Sequence, residues 1–316
     1  MSKSTLARVG TLAVLVAVLV NIAIGRASNG FDLSDSLIPI DQIHLGGPPR
    51  DGIPAIDQPR FVAAGAAGFL KPEDRVLGLT IDGRARAYPV SILNWHEVVN
   101  DHFGKLPVSV TYCPLCGTGI AFSGLDGNAT RTFGISGLLF NSDVLLYDRE
   151  TESLWSQLMM QAVSGPRRGE RLEALPLTHT TWATWRAEHP DTRVLSTDTG
   201  YRRDYERDPY AGYASEKGTY FPVNATSRRY HPKERVLGIS IGGKAKAYPF
   251  TELARSGENT IVDHIGDQRL QVTFDAKSET ARAFDADGRQ LPATSSFWFA
   301  WYAFHPDGEV YTASGD

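Results

Sequence analysis

The sequence predicts an α+β fold, rich in antiparallel sheet and assembled from internally duplicated units with short helices. Three observations lead there: one long stretch recurs later in the chain, apolar and polar residues alternate around an Asp-Gly turn, and short helical segments end at turn residues. The recurrence is the strongest. "KPEDRVLGLTIDGRARAYPV" (71 to 90) and "HPKERVLGISIGGKAKAYPF" (231 to 250) agree at 11 of 20 positions without a gap. Further on, Asp101-His102 aligns with Asp263-His264, and Val110-Thr111-Tyr112 with Val272-Thr273-Phe274. "TWATWRAEHPDTRVL" (181 to 195) aligns with "FWFAWYAFHPDGEVY" (297 to 311), and the second copy lacks 46 residues that the first carries before this segment.

In chain order, Lys3 and Arg8 precede an apolar run from Thr11 to Ile24, and Gly25-Arg26-Ala27 supplies small residues before Ser28. That layout marks residues 1–27 as an export signal or a retained N-terminal membrane anchor, and both leave the remainder outside the cytoplasm, periplasmic or extracytoplasmic. Residues 28–70, with "GGPPRDGIPAIDQP", read as an extended arm with tight turns. The first unit spans 71–200. In it "RVLGLTIDGRARAYPV" is a hairpin, Ser91 caps a helix from Ile92 to about Asp101, "LPVSVTY" is a strand, and Trp182 to Glu188 is a short helix stopped by His-Pro. Residues 201–230 are a polar, Tyr-rich connection that packs over the surface. Residues 231–316 form the second, degenerate unit.

Apolar residues at 42%, charged residues at 22% and a formal net charge of -4 suit a globular chain. Lys and Arg are scattered, so no basic stripe for nucleic acid is present and nucleic acid is not expected as a partner. A small molecule or a metal ion is the expected ligand. The duplication acts as an internal control: positions kept in both copies belong to the shared scaffold, whereas positions chemical in one copy and bland in the other are candidates for function. Asp101, His102 and His189 are kept and read as structural. Cys113 stands opposite Asp275, Cys116 opposite Ser278, and Asn94-Trp95-His96 opposite Ala254-Arg255-Ser256.

Cys113 and Cys116 are the only cysteines, within "VTYCPLCGTGIAF". A structural disulfide across so short a loop removes little entropy from the unfolded chain. Two uses remain. A thioredoxin-like pair needs a helix after the second cysteine to lower a thiol pKa, but "GTGIAFSG" disfavours helix. A turn between two strands is instead the pattern of a metal knuckle, with Gly117 in a conformation that other residues avoid. One knuckle offers two thiolates, so a third ligand is needed, and His96 is the candidate, with Asn100 one helical turn on as its hydrogen-bonding support. Thiolates with imidazole suit copper or zinc, and copper is favoured because the set is incomplete. In the redox alternative the same residues are catalytic: Cys113 attacks, Cys116 resolves and His96 is the base. A third reading is a non-enzymatic module that recognises a ligand through its aromatic residues. In "LLFNSDVLLYDRETESLWSQLMM", the groups Asn141, Ser142, Asp148, Arg149, Trp155, Ser156 and Gln157 belong either to a solvated edge hairpin or to a wall over the cysteines that lines a pocket with Asn94. Met159 and Met160 are core fillers before they are copper ligands.

The blocks "SILNWHEVVND", "VTYCPLCGTGIAF", "FGISGLLFNSDVLLYDRETESLWSQL", "TTWATWRAEHPDTRVLSTDTGYRRDY" and "DPYAGY" together resemble a family of exported bacterial and archaeal proteins known only as a domain of unknown function, DUF3179, over roughly residues 29 to 316. The resemblance implies that Asn94, His96, Cys113, Cys116, Asn141, Asp148, Trp155 and Ser156 lie in blocks typical of that family. It brings no activity with it, so the chemistry rests on the residues themselves.

Overall fold

The computed structural model describes residues 28–127 and 129–313, and the expected export or anchor segment, 1–27, lies outside the described residues. No helix among the described residues is long and apolar enough to cross a membrane. The expected α+β class is overturned: strands take 40% and helices 13%, and five sheets stand as the blades of a five-bladed β-propeller. Each of the four α-helices among the described residues is only seven residues long and serves as a link between strands.

The two matching stretches adopt the same local structure. Arg75–Ile81 pairs antiparallel with Arg84–Pro89 around Asp82-Gly83, and Arg235–Ile241 with Lys244–Pro249 around Gly242-Gly243. All four turn residues have positive φ, which a two-residue turn matched to the twist of its strands requires. Leu177–Thr181 extends the first hairpin and Thr294–Phe297 the second, both antiparallel. On the far side Arg193–Leu195 and Glu309–Val310 add as short parallel strands. The helices Trp182–Glu188 and Trp298–Phe304 then lay Trp185 over Gly78 and Trp301 over Gly238. A Cβ on either glycine would stand 2.3 or 2.1 Å from the indole. Glycine is therefore required in these strands to admit the ring.

The helix after the first hairpin, Val90–His96, departs from expectation at both ends. Pro89 occupies its N-cap, so Ser91 lies inside the helix and does not cap it. Its far end is Glu97, in the left-handed region at φ 57. The β-branched pair Val98-Val99 then opens the strand Val98–Phe103. With Leu106–Cys113, Thr118–Ser123 and Ala174–Leu175 this strand makes the cysteine blade. Its counterpart in the second unit is the three-stranded sheet of Thr260–Ile265, Gln268–Asp275 and Thr280–Phe284.

The fifth blade has no counterpart. Ile43–Leu45, Phe133–Phe140, Asp143–Asp148, Leu154–Ser156 and Gln161–Ser164 form it, and every residue of the two long strands is buried. One face packs under Phe31, Leu33 and Ile38 of the N-terminal arm, and the other joins the core that holds Cys113, Cys116 and Phe297. The reading of an edge hairpin with solvated faces is thereby replaced by an interior wall.

Candidate metal centre

The strands Leu106–Cys113 and Thr118–Ser123 pair in register up to Cys113 opposite Thr118, leaving Pro114 to Gly117 as the turn. A strand, not a helix, follows the second cysteine. Gly117 has φ +61, and its missing Cβ would sit 3.0 Å from the Phe297 ring, so both conformation and space select glycine. Phe297 also donates its amide to the Cys116 carbonyl at 2.8 Å, which ties the second unit onto the turn. Both cysteines are free and buried.

The wall meets the turn through its own hairpin end. Asn141 and Ser142, at φ 53 and 62, form a tight turn between Phe133–Phe140 and Asp143–Asp148. The Ser142 carbonyl accepts from the Cys116 thiol at 3.3 Å and from Cys113 at 3.7 Å. Asp143 comes next, and its carboxylate stands with the two sulfurs in a group whose ligand atoms all lie within 4.8 Å of one another. Asp143 Oδ2 accepts from Ser156 Oγ at 3.1 Å and from the Leu158 amide at 3.0 Å, whereas Oδ1 is buried without a partner. Nearby, Gln157 donates to Thr111 Oγ1 at 2.8 Å, and its Oε1 is also buried and unpaired.

Burial raises the acids here. Asp143 is pushed up to about 7, and the Cys116 thiol well above its usual value by burial and then by Cys113. Glu97 is pushed up to about 8 by burial, with Asp143 adding to the effect. The left-handed backbone at Glu97 is held by its amide bonding the Leu93 carbonyl and its carbonyl accepting from the Tyr112 amide at 2.7 Å. This places Glu97 beside the strand that carries Cys113. Its carboxyl has no hydrogen-bond partner among the described residues, an uncommon state for a buried acid. Glu97 and Asp143 lie in electrostatic reach of one another, and the buried Lys233 is in reach of Cys116.

Of the residues singled out from the sequence, Cys113 and Cys116 are brought together and His96 is not joined to them. His96 ends its helix, with Nδ1 bonded to the Pro54 carbonyl at 2.8 Å and Nε2 to the Tyr205 hydroxyl at 2.7 Å. With both nitrogens engaged it has none to offer a metal in this arrangement, and burial lowers its pKa. Asn100 lies on a strand and not one helical turn beyond His96. It bonds Asp57, Ser109 and both backbone groups of Phe133. Asn94 bonds Asp208 at the surface. Asp148 caps the turn at Thr151 and accepts from Trp155 Nε1, with Arg131 over the indole. Asn141 accepts from the Asn224 amide at 2.7 Å and so anchors the long connection. Of the expected wall residues, Ser142 touches the sulfurs through its carbonyl and Ser156 touches Asp143 through its hydroxyl.

Sequence reasoning missed Asp143 and Glu97. Both stood inside quoted blocks, "FNSDVLLYD" and "NWHEVVND". The available signal was an acid directly followed by apolar, strand-forming residues, Val98-Val99 after Glu97 and Val144-Leu145-Leu146 after Asp143.

Residues 50–308 match the model of a family described as a protein of unknown function, DUF3179, and the chain belongs to that family. No curated protein and no solved structure matches it.

Proposed function

We propose that this DUF3179 chain is a metal-binding protein acting outside the cytoplasm, with Cys113, Cys116 and Asp143 as ligands and Glu97, in electrostatic reach of Asp143, as a candidate for a fourth. The observation that carries the reading is Asp143, whose carboxylate stands beside two sulfurs while its Oδ1 is buried and unpaired. A tetrahedral ion with bonds of about 2.0 to 2.3 Å spaces its ligands roughly 3.3 to 3.8 Å apart, compatible with this group. Replacing imidazole by carboxylate in the donor set changes the preferred ion. Two thiolates and an oxygen suit a borderline divalent ion such as zinc, whereas copper(I) gains nothing from a hard carboxylate. In an oxidising compartment, vicinal thiols escape pairing when they are ligated. The dithiol-exchange reading is weaker, because the pair sits on a sheet turn without a helix N-terminus and burial keeps Cys116 protonated.

The test is elemental analysis with thiol counting on protein purified without added metal, repeated on Cys113→Ser and Asp143→Asn. Stoichiometric zinc in the wild type, absent in Cys113→Ser and reduced in Asp143→Asn, is expected. A metal-free wild type that, once reduced, takes up neither Zn(II) nor Cu(I) overturns the proposal.

A further inference from the structure

A second polar cluster lies where the two matching units meet. Arg75 and Arg235 occupy equivalent positions in the two matching stretches and converge on His179. Arg75 Nη1 bonds the Ser278 carbonyl at 2.5 Å, and its Nη2 bonds the carbonyls of His179 and Glu279 at 3.0 and 3.2 Å. Arg235 Nη2 donates to His179 Nδ1 at 2.8 Å and to Ser295 Oγ at 2.9 Å. Ser295 aligns with His179, so Arg235 bridges the matching position of each unit.

Neither guanidinium has a carboxylate within ion-pair distance among the described residues. The acid in electrostatic reach of both is Glu279, and its backbone carbonyl, not its side chain, is what Arg75 bonds. Burial, aggravated by Arg235, pulls Arg75 down to about 9, and burial lowers Arg235 as well. Three atoms are left buried and unpaired: Arg75 Nε, Arg235 Nε and His179 Nε2. Because His179 Nδ1 accepts from Arg235, the proton of the neutral ring sits on Nε2. His179 is buried, and burial followed by the two arginines holds its pKa well below the usual value, so the ring is neutral. All three orphaned atoms are therefore donors. The Tyr112 ring stands edge-on to His179 at 6.2 Å.

Three unpaired buried donors beside two guanidinium charges have one kind of complementary ligand, an acceptor bearing negative charge. We propose that Arg75, Arg235 and His179 form a binding site for a small oxyanion, a carboxylate or a phosphate, at the junction of the two units. Both arginines are half-buried as residues, and Arg235 Nη1, unlike Nη2, makes no hydrogen bond among the described residues. The site is separate from the sulfurs and does not depend on a metal there.

The test is calorimetric titration of the full chain with sodium phosphate and with sodium acetate, against sodium chloride at matched ionic strength. Saturable binding of one oxyanion is expected, weakened about tenfold or more in Arg235→Gln. Arg235→Lys keeps the charge but loses Nε and the fork, so it too should bind more weakly. Arg75→Lys provides the same comparison from the other unit should the Arg235 variants not fold. Phosphate binding alone assigns a tetrahedral ligand, and acetate binding alone a planar one. Cys113→Ser with Cys116→Ser should bind as the wild type does. No saturable binding of either oxyanion to the wild type, or unchanged affinity in the folded arginine variants, overturns the proposal.

Discussion

The turn Cys113-Pro-Leu-Cys116 and the turn Asp275-Ala-Lys-Ser278 close equivalent hairpins, yet one is the centre of the molecule and the other lies at its surface. Their frames agree. Cys113 pairs with Thr118 as Asp275 pairs with Thr280, and Gly117 and Glu279 both have positive φ, at 61 and 46. The second turn satisfies itself: Ser278 Oγ donates to Asp275 Oδ2 at 2.6 Å and the Lys277 amide to Oδ1 at 3.0 Å, with Asp275 exposed. The first cannot, because its side chains are sulfurs and its surroundings are Phe297, Ser142 and a third acid. The wall blade, present in only one unit, makes the difference. A fold that repeats a turn in two environments can keep one as scaffold and leave the other free for chemistry.

Exchanging the turns is the harshest way to break that comparison. Cys113→Asp with Cys116→Ser places another carboxylate against Asp143 and Glu97 without a thiolate pair to hold a cation. An uncompensated buried charge costs about 3 to 5 kcal/mol, to be read from the urea midpoint. The reverse exchange, Asp275→Cys with Ser278→Cys, loses the two hydrogen bonds to Asp275 and the buried one between Ser278 and Thr280, so a cost of about 1 to 3 kcal/mol is expected, with no metal gained. Equal costs for the two exchanges would show that the environments do not differ as described.

The shared scaffold predicts symmetry where the turns predict contrast. Gly78→Ala and Gly238→Ala each drive a methyl into an indole, Trp185 or Trp301, and each should lose about 1 to 3 kcal/mol by denaturant unfolding. If one were silent, the two Gly–Trp contacts would not be equivalent.

These pairs also show what could be read from the sequence. The hairpins, the helix Trp182–Glu188 and the strand–turn–strand around the cysteines follow from local signals: turn glycines, alternation and a His-Pro stop. The propeller does not, because closing blades around a centre depends on contacts far apart in sequence, while short linking helices mimic an α+β pattern. Asp143 escaped for the same reason. It stands at a polar Asn-Ser-Asp turn and becomes a candidate ligand only when its hairpin is brought against Cys116. The expected helix to about Asp101 runs past its true end at His96, which is why Asn100 is expected one helical turn beyond that histidine. The Val98-Val99 pair marks the change of period, but the left-handed turn at Glu97 carries no signature in a residue that rarely adopts it.

The smallest expected effect concerns a triad that both units keep. Tyr88 donates to Asp101 Oδ2 at 2.6 Å and Tyr248 to Asp263 Oδ2 at 3.0 Å. The basic partner is Arg86 in the first unit and Lys246, at 2.8 Å, in the second. For Asp263, burial disfavours the charge, but Lys246, the His264 amide and the Tyr248 hydroxyl together outweigh it and hold the carboxyl below its ordinary value. In the unfolded chain an aspartate titrates near about 3.9. Between that value and the lower folded one, the unfolded chain binds the proton that the folded chain refuses, so stability falls with falling pH. The contribution is complete above about pH 4 to 5 and lost as the pH drops through the folded pKa. Asp263→Asn should therefore lower stability at neutral pH by no more than about 1 kcal/mol, since the pair is partly solvated, and should flatten the acid limb below about pH 4. Urea midpoints at pH 7 and at pH 3 check this. A variant whose deficit grows towards low pH, rather than shrinking, would show that Asp263 is protonated in the fold and that the second triad is not an ion pair.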